Sequence, residues 1–107
     1  MNDILLKLSK TIDDRMKSDP KVSYTAYLLK HEKEKCAEKF GEEAIELIVA
    51  AAKSEKKSII EEAADVVYHL MVLLKQKGIR FEEVLDVLSQ RQEISGLDEK
   101  ASRKTKI

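Results

Sequence analysis

EAIELIVAAA at residues 43–52 and IIEEAADVVYHLMVLL at residues 59–74 are the two stretches that decide the fold of this chain. Ala, Ile, Leu and Val dominate both stretches and cover most of a helical circumference. A helix that is apolar nearly all round is buried on most of its sides. Each stretch nevertheless contains two acidic residues three positions apart, which places both on one face of a helix. These acids are Glu43, Glu46, Glu62 and Asp65.

The helix that contains the first stretch is predicted to begin in the charged segment 31–35 and to continue through Ala52. Residues 53–57 then form a polar turn. Ser58 with Glu61 three residues later matches a capping box, so the second helix is predicted to start at Ile59. It should end at Gly78, a residue type that commonly terminates helices.

Weaker helical patterns flank this pair of helices. Residues 2–18 place apolar side chains on one stripe, and Asp19-Pro20 should end that helix. A short helical piece at 26–29 is predicted to be capped by Ser23 or Thr25. A last helix should begin near Phe81. With three glycines and one proline in 107 residues, long helices are the natural expectation.

The predicted fold is therefore all-α, a bundle of about four to five helices. The two central helices should run antiparallel because their connection is short. They are more apolar than one small chain can cover, so we expect homodimerisation to complete the core. Residues 1–95 should form a single domain and residues 96–107 a mobile tail, since the tail has no helical periodicity.

Composition excludes several classes of function. Charged residues make up 37% of the chain and apolar residues 43%, and the formal net charge is zero. Neither a nucleic acid nor a membrane partner is expected, because there is no global positive charge and no apolar run of transmembrane length. The single cysteine, Cys36, cannot form an intrachain disulfide and is most simply a small core residue. We expect a cytoplasmic protein.

Four carboxylates in apolar surroundings require a counter-charge if they lie close together. Oxygen-only ligands select hard cations, so Mg²⁺ is the predicted cofactor, with Mn²⁺ as an alternative. The competing interpretation is that the acids pair with lysines on a solvated face. It is weakened because no lysine follows any of the four acids by four residues. Spacing alone leaves open whether the four acids converge.

Other polar residues near these acids have two interpretations each. His69 lies one turn after Asp65 and is either a buried core residue or a support for the site. Lys39 lies one turn before Glu43, so it either binds phosphate or pairs with that acid. Tyr68 is interpreted as a packing residue with its hydroxyl at a polar boundary.

Three motifs resemble those of the phosphoribosyl-ATP pyrophosphohydrolase family, within the all-α MazG-like superfamily of nucleoside-triphosphate pyrophosphohydrolases. SYTAYLL at residues 23–29 is similar to the family's opening motif, and KFGEEAIE at residues 39–46 to its first acidic motif. EEAADVVYHL at residues 61–70 is similar to the second acidic motif. The acidic motifs alone indicate the superfamily. Their combination with the SYTA and YHL segments indicates the finer family.

The resemblance implies a Mg²⁺-dependent homodimeric enzyme that hydrolyses phosphoribosyl-ATP to phosphoribosyl-AMP and pyrophosphate, the second step of histidine biosynthesis. It implies metal-binding and catalytic roles for the four acids Glu43, Glu46, Glu62 and Asp65. It implies substrate binding by the loop residues Ser23, Tyr24 and Thr25 and by Lys39. Glu42 and His69 would be supporting residues.

Two alternatives remain open on sequence grounds. One is a housecleaning pyrophosphatase of the same superfamily that acts on dUTP or an aberrant triphosphate. The other is a non-catalytic helical dimerisation module, which predicts no metal binding.

Overall fold

A computed structural model describes residues 3–30 and 34–92, and these residues form five helices with no strand among them. The all-α prediction is confirmed. The predicted helical start at residues 31–33 and the predicted mobile tail at 96–107 lie outside the described residues. The helices are α1 (Asp3–Arg15), α2 (Tyr24–Lys30), α3 (Lys35–Lys53), α4 (Lys56–Gln76) and α5 (Phe81–Arg91).

Helices α3 and α4 form the predicted antiparallel hairpin, joined by only two residues. Ser54 ends α3 in the left-handed conformation, with φ of 55°, and its backbone N–H donates to the Ala51 carbonyl. Glu55 is extended and α4 begins at Lys56. The predicted start of α4 after a Ser58 cap is therefore wrong. Because the chain already reverses at Ser54, Lys56 and Lys57 can join the helix, and lysine is a good helix former.

The C-terminus of α4 follows the prediction at Gly78. The Ile79 N–H donates to the Leu74 carbonyl at 2.9 Å and the Gly78 N–H to the Lys75 carbonyl at 3.0 Å. This pair of bonds is a Schellman motif, which satisfies carbonyls left unpaired at a helix end. It requires a left-handed residue, and Gly78 has φ of 72°. The chain then reverses into α5.

Replacing Gly78 by Ala should destabilise the fold without changing the site. A β-carbon at this position meets no atom within 4 Å, so the penalty is conformational rather than steric. A left-handed non-glycine residue costs roughly 1–2 kcal/mol. We expect the melting temperature to fall by about 4–8 °C per kcal/mol in a domain of this size. Thermal unfolding followed by circular dichroism measures it, and an unchanged melting temperature would contradict this account of the turn.

The core lies where α1 and α2 cover the part of the hairpin remote from its turn. Its buried residues are Ile12, Leu28, Cys36, Met71 and Val72. The Cys36 thiol donates to the Leu28 carbonyl at 3.3 Å, and burial raises the pKa of that thiol. The interpretation of Cys36 as a core residue is thus confirmed.

The hairpin carries several large apolar side chains that the described residues do not cover. Ile48 is 65% exposed and Ile45 62%. Other exposed apolar residues of α3 and α4 are Val49, Ile60 and Val67. In the described residues, no helix is both long and apolar enough to cross a membrane. The exposed apolar side chains of α3 and α4 thus form a surface that no other described residue covers, on the same hairpin that carries the acidic residues.

Candidate active site

The acidic residues of α3 and α4 occupy matching heights on the hairpin. Glu46 and Glu62 each lie eight residues from Ser54, and Glu43 and Asp65 each lie eleven. Helices rise 1.5 Å per residue, so residues equidistant from a tight reversal are level with each other on antiparallel helices. The two-residue connection therefore brings the acids of the two motifs together, which spacing had left open.

Three of the four predicted metal ligands converge. Glu43, Glu62 and Asp65 each offer a carboxylate oxygen, and these oxygens lie within 4.8 Å of one another. Glu43 is buried, Glu62 is half-buried and Asp65 is exposed, so the cluster opens to solvent on one side. The Glu62 Oε1 atom is shielded from solvent and has no hydrogen-bond partner. A buried oxygen without a donor is costly unless something supplies positive charge.

The electrostatics of Glu62 indicate the same need. Burial raises the pKa of its carboxyl, and the charges of Glu46, Asp65 and Glu43 raise it further. Glu46 is thus close to Glu62, although it is exposed and lies outside the group of three. A donor set made only of carboxylate oxygens fits a hard divalent cation such as Mg²⁺.

A cationic side chain borders the cluster from α3. The Lys39 Nζ atom lies 3.2 Å from the Glu42 Oε1 atom and 4.0 Å from the Glu43 Oε2 atom. Its hydrogen bond to Glu42 raises the pKa of Lys39, so the ammonium stays protonated. Lys39 therefore pairs with both neighbouring acids, and it is also placed to meet an anion that approaches the carboxylates.

Helix α2 contributes Tyr24, whose hydroxyl lies 3.4 Å from the His69 Nε2 atom. The His69 Nδ1 atom lies 2.9 Å from the Asp65 carbonyl oxygen, which can only accept a hydrogen bond. In neutral His69 the proton is therefore on Nδ1, and Nε2 accepts from the Tyr24 hydroxyl. Burial raises the pKa of Tyr24, and the nearby Lys39 ammonium opposes that shift. Tyr24 is thus hydrogen-bonded to the histidine, and the lysine is close enough to affect its pKa.

The other two residues of the SYT segment are buried. Ser23 Oγ accepts a hydrogen bond from the Ala26 N–H at 3.1 Å, so of the two predicted caps, Ser23 and Thr25, it is Ser23 that caps α2. The Thr25 hydroxyl is hydrogen-bonded to the Tyr68 hydroxyl and ties α2 to α4. Of the three predicted substrate-binding residues in this segment, only Tyr24 is exposed beside the acids.

A groove of about 260 Å³ adjoins the acids on the turn side. Its walls come from both helices of the hairpin. They consist of Ile45, Glu46, Val49, Ala50, Lys53, Glu55, Ser58 and Glu62. Two of the predicted ligands, Glu46 and Glu62, thus line a groove whose walls carry both apolar and charged side chains.

Sequence reasoning missed two features of this region. The Thr25–Tyr68 contact joins residues 43 positions apart, so no local pattern shows it. The ring of Tyr27 stacks against the ring of Tyr24. Their i, i+3 spacing on a helix was a signal that could have predicted this pair.

Comparison with known proteins gives consistent matches over most of the chain. Residues 5–92 match the family model described as phosphoribosyl-ATP pyrophosphohydrolase. A protein of Rhodopseudomonas palustris named phosphoribosyl-ATP pyrophosphatase 1 is 50% identical over 97 residues, which cover 91% of each chain. The phosphoribosyl-ATP pyrophosphatase of Dinoroseobacter shibae is 50% identical over 100 residues, 94% of this chain and 98% of the relative.

Proposed function

The chain belongs to the phosphoribosyl-ATP pyrophosphohydrolase family, and we propose from this which of its residues carry out the reaction. It is a hydrolase that converts phosphoribosyl-ATP to phosphoribosyl-AMP and pyrophosphate in histidine biosynthesis. A cytoplasmic location is part of the proposal and rests on this biosynthetic role.

Glu43, Glu62 and Asp65 would hold a divalent metal, with Mg²⁺ as the first choice and Mn²⁺ as the alternative. The observation that supports this is their convergence within 4.8 Å around a shielded, unpaired Glu62 oxygen. When bound, such a cation neutralises phosphate charge and favours ionisation of a coordinated water. Glu46 lies next to Glu62 and outside the group of three, so we assign it the role of orienting the attacking water.

The remaining residues bind and position the triphosphate. Lys39 would transfer its contact from Glu42 to a phosphate oxygen, because phosphate carries more negative charge than one carboxylate. Tyr24 donates to His69, and the His69 ring fixes the Asp65 backbone through its carbonyl. Ser23 and Thr25 would act indirectly by holding α2 in place. Phosphoryl transfer depends mainly on such positioning and charge stabilisation.

The test of this function is pyrophosphate release from phosphoribosyl-ATP with Mg²⁺, with and without EDTA. ATP and dUTP serve as control substrates. Release from phosphoribosyl-ATP that EDTA abolishes is the expected result. Faster release from dUTP would instead support the housecleaning alternative, and release that is insensitive to EDTA would contradict the metal site.

We further propose that two hairpins pack into a homodimer. The support is the unpartnered surface of Ile45, Ile48 and Val49 on α3, at i, i+3 and i+4, which is the spacing of a packed helix face. Monomeric proteins rarely leave large contiguous apolar patches exposed. Packing of two hairpins would then complete the core by homodimerisation, as was expected from the sequence.

Replacing Ile48 by Glu should convert the dimer to a monomer. A glutamate at the centre of an apolar interface would be an unpaired buried charge, which is strongly unfavourable. Size-exclusion chromatography with light scattering measures the mass. The matched control is Val87→Glu, a position 43% exposed on α5 and therefore not part of the α3–α4 hairpin. A monomeric wild type, or a dimeric Ile48→Glu variant, would contradict the proposed interface.

A further inference from the structure

Two exposed aromatic rings stand side by side at the edge of the candidate active site. The chain has three tyrosines and two phenylalanines, and only Tyr24 and Tyr27 are exposed, at 49% and 37%. Their ring centroids lie 6.4 Å apart with planes inclined by 19°. A single exposed aromatic residue needs no explanation, but a stacked pair beside a nucleotide site is an unusual use of apolar surface.

The pair has a direction relative to the acids. The Tyr24 hydroxyl lies 3.4 Å from the His69 Nε2 atom, and His69 in turn contacts the Asp65 carbonyl, so this ring lies at the phosphate end. Tyr27 lies one helical turn further along α2, and its ring stacks on the Tyr24 ring. Because Tyr24 contacts His69, the stacked Tyr27 ring extends the aromatic surface beyond the residue that touches the site.

The charge of the substrate's base favours stacking on the two exposed tyrosine rings. In phosphoribosyl-ATP the adenine is substituted at N1, and an N1-substituted adenine retains a proton on its amidine system at neutral pH. The ring is therefore cationic, whereas the adenine of ATP is neutral. The face of a tyrosine attracts cations, and stacking on aromatic rings also binds purines.

We propose that Tyr24 and Tyr27 form the surface on which the substrate's purine stacks, and that Tyr27 is a specificity-determining residue that favours the cationic N1-substituted base over neutral adenine. This inference rests on the proposed function, because it requires the triphosphate to lie at Glu43, Glu62 and Asp65. The size of one base–aromatic contact corresponds to roughly tenfold in affinity.

Binding can be measured without turnover. The chain contains no tryptophan, so Tyr27→Trp introduces a single fluorescent reporter at the proposed contact. We expect 1-methyladenosine 5′-monophosphate with Mg²⁺ to quench this fluorescence at roughly tenfold lower concentration than AMP. Inorganic tripolyphosphate should bind without quenching. Equal quenching by both nucleotides, or none by either, would overturn the specificity assignment.

Kinetics supply the second test. Tyr27→Ala should raise the KM for phosphoribosyl-ATP roughly tenfold with kcat nearly unchanged, since a remote base contact contributes uniform binding. Tyr27→Phe keeps the aromatic face and should retain the wild-type KM. The inhibition constant of tripolyphosphate should be equal in all three proteins. An unchanged KM in Tyr27→Ala would overturn the inference, as would a change in oligomeric state, which would assign the ring to a subunit contact.

The two proposals fail in different ways. If wild-type protein released no pyrophosphate from phosphoribosyl-ATP, the proposed function would fail. Selective quenching of the Tyr27→Trp variant by the N1-methylated nucleotide would still decide whether Tyr24 and Tyr27 bind the base. If wild-type protein is active while Tyr27→Ala is kinetically unchanged, the role of Tyr27 alone is refuted.

Discussion

Replacing Glu62 by Gln should lower the rate of phosphoribosyl-ATP hydrolysis by on the order of a thousandfold, the scale of a metal ion's contribution to charge stabilisation. The amide keeps the shape of the side chain but removes the charge of the residue whose oxygen is shielded and unpaired. Pyrophosphate release at saturating Mg²⁺ measures the effect. Because Glu62 belongs to the group of three converging acids, its loss should also weaken the binding of Mg²⁺.

The same variant should be more stable than the wild type when metal is absent. In the folded protein, burial and three neighbouring acids raise the pKa of Glu62 above its ordinary value of 4.5. At pH values between 4.5 and the raised pKa, the folded state therefore binds a proton on Glu62 more readily than the unfolded state does. Stability of the metal-free wild type should fall as pH rises through the raised pKa and recover as pH falls towards 4.5. Glu62→Gln should lose this part of the pH dependence.

Glu61→Gln provides the matched control, since Glu61 is the adjacent acid, is exposed and lies outside the converging group. Adding Mg²⁺ should raise the melting temperature of the wild type and of Glu61→Gln, and should leave the melting temperature of Glu62→Gln unchanged. Ligands that bind only the folded state stabilise it in this way. Equal stabilisation of all three proteins by Mg²⁺ would contradict the assignment of the metal site.

The second large effect is expected for Lys39→Gln, with a loss of activity between about a hundredfold and a thousandfold, as for other single groups that stabilise developing charge. The Lys39 ammonium lies within 4.0 Å of Glu43, one of the proposed ligands, so in the proposed site it would be beside the substrate phosphates. Since the charge on the leaving pyrophosphate grows during cleavage, kcat should fall as well as kcat/KM.

Two further variants identify the cause of that loss. Lys39→Arg keeps the charge and should recover part of the activity, although the guanidinium has a different shape. Lys57→Gln removes an exposed lysine near the start of α4 and should leave kcat unchanged. If Lys39→Gln raised KM alone, Lys39 would bind substrate and transition state equally. If it changed neither constant, its pairing with Glu42 and Glu43 would be its only role.

Much of the local structure was predictable because its causes are local. The period of the apolar residues predicted the helices, and the Gly78 stop and the Ser23 cap depend on bonds between residues close in sequence. The start of α4 was mispredicted because Ser58 and Glu61 match a capping box, while the left-handed turn at Ser54 already reverses the chain. The chain reverses at Ser54, so α4 begins at Lys56, before the predicted cap at Ser58.

Sequence patterns alone were enough to show that the chain is helical, which residues are acidic within apolar helices, and which family the motifs resemble. Tertiary structure decided that Glu43, Glu62 and Asp65 meet, because their convergence depends on the register of α3 against α4. That register follows from the two-residue reversal at Ser54, which lies eleven residues from both Glu43 and Asp65. Tertiary structure also decided that Tyr24 reaches His69 across 45 positions, while Ser23 and Thr25 turn inward. Contacts between residues so far apart in sequence form only when the packing of α2 on α4 brings them together.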